Sequence, residues 1–180
     1  MNELMEIIKN RRSIRKFEDT PISPSELDTL LEAARWAPSW ANTQCWELVV
    51  VRDESVKRAL QDTLPEGNPG RASVMAAPML LAICGRLKQS GYYKGNVCTK
   101  FGDWFLFDLG IMTQNIALAA HAIGLGTVVL GLFDHDKARQ IVNAPEDCEV
   151  VAILPIGRPA KTPPAPPRRE QNEFVHHEHF

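Results

Sequence analysis

Residues 104–125 read WFLFDLGIMTQNIALAAHAIGL, an almost wholly apolar stretch long enough to suggest a membrane span. Asp108, Gln114, Asn115 and His121 interrupt it, and such groups are costly in hydrocarbon. A helix apolar on most sides that carries a few of them reads as the central buried helix of a water-soluble core. Gly124 and Gly126 supply its stop. The rest of the chain is then expected to pack around this helix.

Upstream, Asn2 caps a first helix whose Leu4, Ile7 and Ile8 share a face, and which ends between Asn10 and Arg12. Ser23-Pro24-Ser25-Glu26 combines an N-cap, a proline at the first helical position and a capping-box glutamate. Leu27, Leu30, Leu31 and Ala34 form the buried stripe of that second helix, which stops near Trp36, before Pro38. Residues 46–51 and 79–84 read as buried strands, with Asp53 capping a helix after the first. Residues 85–102 read as a surface excursion. Beyond the central helix, residues 127–132 form a third strand, Asp134 caps a short helix carrying Ala138, Ile141 and Val142, and residues 149–156 form a fourth strand.

This order lacks a regular strand–helix alternation. The fold class is α+β, a sheet with helices grouped around it, rather than a doubly wound sheet. Residues 1–160 form one domain. Residues 161–180 are its proline-rich arm, extended because Pro163, Pro164, Pro166 and Pro167 permit neither helix nor interior strand.

With 44% hydrophobic and 23% charged residues, disorder over most of the chain is excluded. A net charge of −2 gives no global pull toward nucleic acid or membranes, so neither is expected as a partner. No secretory signal is expected at the N-terminus. Cys45, Cys84, Cys98 and Cys148 form no Cys-x-x-Cys pair, which points to reduced thiols in a cytoplasmic protein. His176-His177-Glu178-His179 reads as an exposed tail, and no metal site is expected.

Three segments carry chemistry. Arg11-Arg12-Ser13-Ile14-Arg15 places guanidinium forks and a hydroxyl where they can converge on one anion; the alternative is a solvated basic turn. Residues 37–46 offer Ser39, Asn42 and Gln44 as placed polar groups beside Trp36, Trp40 and Trp46, a mixture that binds ring systems but also makes ordinary turns. Pro163-Pro164-Ala165-Pro166-Pro167-Arg168-Arg169 supplies further arginines, or an SH3-type ligand. Gly124-Leu125-Gly126 lacks dinucleotide-fingerprint spacing and follows a helix, while Gly131 permits close backbone approach.

Taken in order, these pieces resemble the nitroreductase family of FMN-dependent oxidoreductases over essentially the whole chain. The resemblance rests on Arg-Arg-Ser-Ile-Arg after the first helix, Ala37-Pro38-Ser39 with Asn42, Gln44 and Trp46, and Asp108-Leu109-Gly110 with Gln114-Asn115. It continues through Gly124-Leu125-Gly126, Ile156-Gly157-Arg158-Pro159 and Arg168-Arg169. Cys45 stands where the family usually has proline.

The resemblance implies a mostly antiparallel sheet flanked by helices, and a homodimer with FMN at the interface and the arm crossing to the partner. Arg11, Arg12, Ser13 and Arg15 would hold the ribityl chain and phosphate, with Arg168 and Arg169 reaching the same phosphate. Asn42 and Gln44 would address the ring edge, Pro38 and Ser39 would come from the other subunit, and the Leu130-Gly131 backbone would lie near the ring. NAD(P)H would reduce the flavin, then leave the slot to a small electron acceptor such as a nitroaromatic or quinone. No side-chain acid or nucleophile is assigned, since the cofactor carries the chemistry. Flavin reductases, ene-reductases, other specialised branches and a non-catalytic FMN-binding module are the alternatives.

Overall fold

The computed structural model describes residues 2–180. The chain begins with helices α1 (Glu3–Asn10) and α2 (Pro24–Arg35), then strand β1 (Trp46–Val51) and helices α3 (Glu54–Asp62) and α4 (Arg71–Ala76). Strand β2 (Met79–Arg86), the small hairpin β3 (Tyr92–Tyr93) and β4 (Asn96–Val97), and the long helix α5 (Phe105–Ala122) follow. Strand β5 (Gly126–Thr127), helix α6 (His135–Ile141) and strand β6 (Cys148–Gly157) complete the set.

The starts of α1, α2, α3 and α6 follow from local capping. The side chains of Asn2, Asp53 and Asp134 each accept a hydrogen bond from a first-turn N–H. At α2 the box closes both ways: Glu26 N–H donates to Ser23 Oγ at 3.2 Å, and Ser23 N–H donates to the Glu26 carboxylate at 2.8 Å. Glycine sets the end of α5, where Gly124 adopts φ +79°, a conformation that penalises any residue with a Cβ.

The main sheet runs β1-β2-β6-β5 with every pair antiparallel. Strand β2 lies inside it and is buried from Met79 through Gly85. Its alternation splits the core in two. Met79, Leu81 and Ile83 face α2 and α5, packing with Leu30, Ala34, Met112 and Ile116, while Leu80, Ala82 and Cys84 pack with Leu60, Val74 and Ala138 on the other side. Each fully buried leucine or isoleucine here is worth about 1.5–3 kcal/mol in transfer free energy.

The structure corrects three details. Strand β1 is an edge strand with only Val51 fully buried, not a buried one. The strand expected over 127–132 is shorter: after Thr127 the ladder breaks, and contact resumes where Leu130 and Ile153 exchange hydrogen bonds of 3.0 and 2.9 Å. The same register puts Pro155 opposite Val128, and proline has no N–H to donate. Helix α5 is buried on one side only, since Leu106 and Phe107 stand 57% and 60% exposed near its start.

Among the described residues no helix is long and apolar enough to cross a membrane, and no cluster of His, Cys, Asp or Glu could hold a metal ion. The four cysteines are unpaired, with Cys98 exposed.

Candidate functional site

The segment after α1 is laid down like an extra strand. Ile14 N–H donates to the Thr127 carbonyl at 2.9 Å, and Ser13 bridges Thr127 in parallel fashion. Further on, Glu18 N–H donates to Arg158 O, and Ala160 N–H to Lys16 O. Ile14 is 3% exposed and seated directly on Gly126, where an added Cβ would lie 2.4 Å from Ile14 Cγ1. With Ile14 turned into the core, the alternation of an extended chain turns Ser13 and Arg15 outward.

Those outward groups line a cleft of about 280 Å³ together with Arg11, Arg12, Pro163, Pro164, Pro166 and Arg168. Among the described residues no carboxylate lines it. The ion pairs of the described residues also omit Arg11, Arg12, Arg15 and Arg168. Three of them donate instead to nearby carbonyls: Arg12 Nη1 to Lys9 O at 2.6 Å, Arg15 Nη1 to Ser13 O at 3.4 Å, and Arg168 Nη1 to Pro167 O at 3.1 Å. Burial, then the charges of Arg12 and Arg168, hold the Arg11 pKa below its usual value. Cations that converge on Arg11 and lower its pKa form a site a phosphate dianion would relieve, and the forked donors suit its oxygens.

An adjoining cleft extends this cationic region. It is lined by Asn10, Arg11, Arg12, Thr127 and His121 of α5. The His121 pKa is pushed below 6.5, first by burial and then by Arg11 and Arg12. His121 was visible in the sequence only as a polar break near the end of an apolar helix, and nothing local tied it to the arginines.

The second element is the turn after α2. Ala41, Asn42 and Gln44 all have positive φ, at 46°, 56° and 49°. Non-glycine residues in this region cost on the order of 1 kcal/mol each and persist only when the surroundings fix them. Internal bonds do part of this, with Gln44 N–H donating to Ser39 Oγ at 2.9 Å and Gln44 Nε2 to Asn42 Oδ1 at 3.3 Å.

The outside anchor is Asp108 of α5, 1% exposed, which accepts from Trp40 N–H at 3.0 Å and from Cys45 Sγ at 3.6 Å. Burial, then the Asp108 charge, pushes the Cys45 thiol up to about 12, so it remains a donor. Asp108 was quoted in the sequence as part of a motif, but its role became visible only with the loop folded over it.

Asn42 and Gln44 are exposed and line a surface cavity with Arg35, Trp36 and Pro38. Trp36 is 72% exposed, its Nε1 donating to Glu32 at 2.6 Å. Pro38 and Ser39 also border an apolar slot walled by Trp40, Trp104, Phe107 and Ile111, of the kind that accepts flat rings.

Within one chain, then, Arg11, Arg12, Ser13, Arg15 and Arg168 come together, while Pro38, Ser39, Asn42 and Gln44 form a separate group. Leu130 and Gly131 line neither cleft; Leu130 is buried against Ile153, and Gly131 is exposed with open space around it. Arg169 turns to the Glu173 carbonyl and lies 5.6 Å from the Phe174 ring centre, outside the lining of the arginine cleft.

Comparison with known proteins converges on one family. The Nitroreductase family model matches residues 8–158. The chain is 30% identical over 185 residues to the NADPH-flavin oxidoreductase of Vibrio harveyi, covering 100% of this chain and 75% of that protein. It is 27% identical over 191 residues to the FMN reductase [NAD(P)H] of Bacillus subtilis, again covering 100% of this chain and 75% of the relative. A crystal structure of a nitroreductase family protein from Clostridium difficile superposes with a TM-score of 0.84 at 25% identity, covering 100% of both chains. With its antiparallel sheet flanked by helices and a match spanning most of its length, the chain belongs to the nitroreductase family.

Proposed function

We propose that this chain is an FMN-dependent NAD(P)H oxidoreductase that passes electrons to small organic acceptors such as nitroaromatics and quinones. The observation that carries the reading is the arginine cleft, where Arg11, Arg12, Arg15 and Arg168 converge with Ser13 and no carboxylate answers them. A terminal phosphate fits that donor set in charge and in fork geometry. The names of the relatives, an NADPH-flavin oxidoreductase and an FMN reductase, point the same way. FMN, when bound, supplies the hydride-accepting ring.

The protein's own contribution is placement. Arg11, Arg12, Ser13, Arg15 and Arg168 hold the phosphate end, while Arg169 stays on the arm, turned to the Glu173 carbonyl. Asn42 and Gln44 offer amide groups to the ring edge, Pro38 and Ser39 its apolar border, and Leu130-Gly131 a backbone flank. The separation of the two groups within one chain supports a homodimer in which each site draws on both subunits. Leu4, Met5 and Ile8 on α1, all more than 40% exposed, offer an apolar face for such contact. In this reading residues 1–160 are the FMN-binding domain and residues 161–180 the arm that reaches the partner. Four unpaired cysteines suit a cytoplasmic setting.

The test is gel filtration after incubation with FMN, followed by steady-state turnover. Flavin should co-elute with protein at dimer mass, and NAD(P)H oxidation with quinone or nitroaromatic should give parallel double-reciprocal lines, the ping-pong pattern. Colourless protein after reconstitution would end the proposal. A flavin-reductase activity is the second reading, favoured by the name of the Bacillus relative. It predicts that free FMN serves as acceptor at least as well as a quinone.

A further inference from the structure

Asp108 receives hydrogen bonds from three residues in two separate segments, the turn at residues 39–45 and the excursion after β2. Its Oδ1 accepts from Trp40 N–H at 3.0 Å, in the turn that carries Asn42 and Gln44. Its Oδ2 accepts from Ser90 Oγ at 2.6 Å and from Cys45 Sγ at 3.6 Å. Ser90 is fully buried and belongs to the excursion between β2 and α5; its carbonyl accepts from Trp104 N–H at 3.0 Å. The carboxylate therefore joins α5, the strained turn and the excursion that leads through the Tyr92–Tyr93 hairpin.

We propose that Asp108 is a positioning residue: its buried carboxylate sets the backbone of residues 39–45, and thereby the orientation of Asn42 and Gln44, and couples that turn to the excursion through Ser90. The inference rests on the reading of Asn42 and Gln44 as ring-edge groups, while the anchor itself is a property of the protein without FMN. Three facts favour a positioning role over mere packing. The turn holds three non-glycine residues at positive φ, so it needs an external constraint. The constraint reaches its backbone through Trp40 N–H. The Cys45 thiol, pushed up to about 12, remains a donor to this carboxylate and does not compete as an anion.

The test uses the full-length protein with Cys98 replaced by serine, since that thiol is exposed and would mask the others. In Asp108→Asn the amide cannot accept from both Ser90 Oγ and Cys45 Sγ at its nitrogen. The rate at which a thiol reagent modifies Cys45, identified by peptide mass, should rise about tenfold without any flavin present, as expected for loss of a buried hydrogen bond. With FMN added, the visible circular dichroism of the bound flavin should change in sign or intensity, while Arg15→Ala should weaken binding without altering that spectrum.

Ser90→Ala removes only the hydroxyl. It should move both readouts in the same direction by a smaller amount, and it decides the matter should Asp108→Asn not fold. Folded variants with unchanged Cys45 labelling overturn the anchor. Faster labelling with an unchanged flavin spectrum overturns its bearing on the ring. If the parent protein binds no FMN, the functional proposal fails while the labelling rates still report on the anchor.

Discussion

Arg168 approaches Arg11 closely enough that its charge lowers the Arg11 pKa, although one belongs to the proline-rich arm and the other closes the first helix. Two cations held together without a carboxylate destabilise each other until an anion joins them. Removing one should therefore have opposite effects with and without ligand. Arg168→Ala should leave the thermal stability of the FMN-free protein unchanged or raise it. FMN binding should weaken by about 1.5–3 kcal/mol, the worth of a charge-assisted hydrogen bond. Thermal melts and fluorescence titration of FMN check both. A variant less stable without FMN and unchanged in affinity would place Arg168 in the scaffold instead.

Gly126 supports the same cleft from below. An added methyl would meet Ile14 Cγ1 at 2.4 Å and also crowd Ile14 Cβ, at 2.7 Å, so the segment between Arg11 and Arg15 must shift. Gly126→Ala should cost about 1–3 kcal/mol by overpacking, lowering Tm by several degrees. Unlike Arg168→Ala, it should lower both stability and FMN affinity. A neutral result in both assays would mean that the bed of Ile14 is softer than its contacts imply.

His121 should link FMN binding to proton uptake. Burial and the charges of Arg11 and Arg12 hold its pKa below 6.5. A phosphate dianion offsets those charges and raises that pKa, so binding takes up protons at mildly acid pH. The phosphate itself, with a second pKa of about 6, releases protons when its dianion is selected, so the two effects oppose each other. Calorimetric titration in buffers of different ionisation enthalpy should show His121→Gln binding FMN with a more negative net proton uptake than the parent. Identical proton stoichiometry in the two proteins would remove His121 from the site.

Acid stability should report on Glu26. Its carboxylate accepts from Ser23 N–H and Ser23 Oγ, both at 2.8 Å, and from Arg158 Nη2 at 2.7 Å. These hold its pKa below 4.5, the Ser23 backbone bond most of all. A folded-state pKa below the unfolded value gives stability that is present above pH 4.5 and is lost as pH falls through the folded pKa. Glu26→Gln should thus melt lower than the parent at neutral pH, with the gap closing in acid. A gap that stays constant across the acid range would contradict the role of the charge.

These predictions depend unevenly on what the sequence displayed. The capping box at Ser23 and Glu26, and the cap at Asp53, are local, and local signals specify helix starts. The near-continuous apolar runs of β2 and β6 marked buried strands, because both are covered by helices on each side. The exposed flank of β1 could not be read, since an edge strand with Leu48, Val49 and Val50 looks the same in sequence as a central one. The break after Thr127 depends on Pro155, a residue from another strand.

The site divides in the same way. Arg11, Arg12, Ser13 and Arg15 stand together in the chain, whereas His121 and Asp108 act across long sequence separations. Only folding shows that one adjoins the arginines and the other fastens the turn at Trp40.

The most direct test of the account is the absorbance spectrum of the FMN-reconstituted protein before and after anaerobic addition of NADH or NADPH. An oxidoreductase of this kind should show the oxidised flavin band and lose it on addition of one of the two, with recovery when a quinone or nitroaromatic is admitted. A bound flavin that neither nucleotide bleaches would contradict the account and leave a binding module in place of an enzyme.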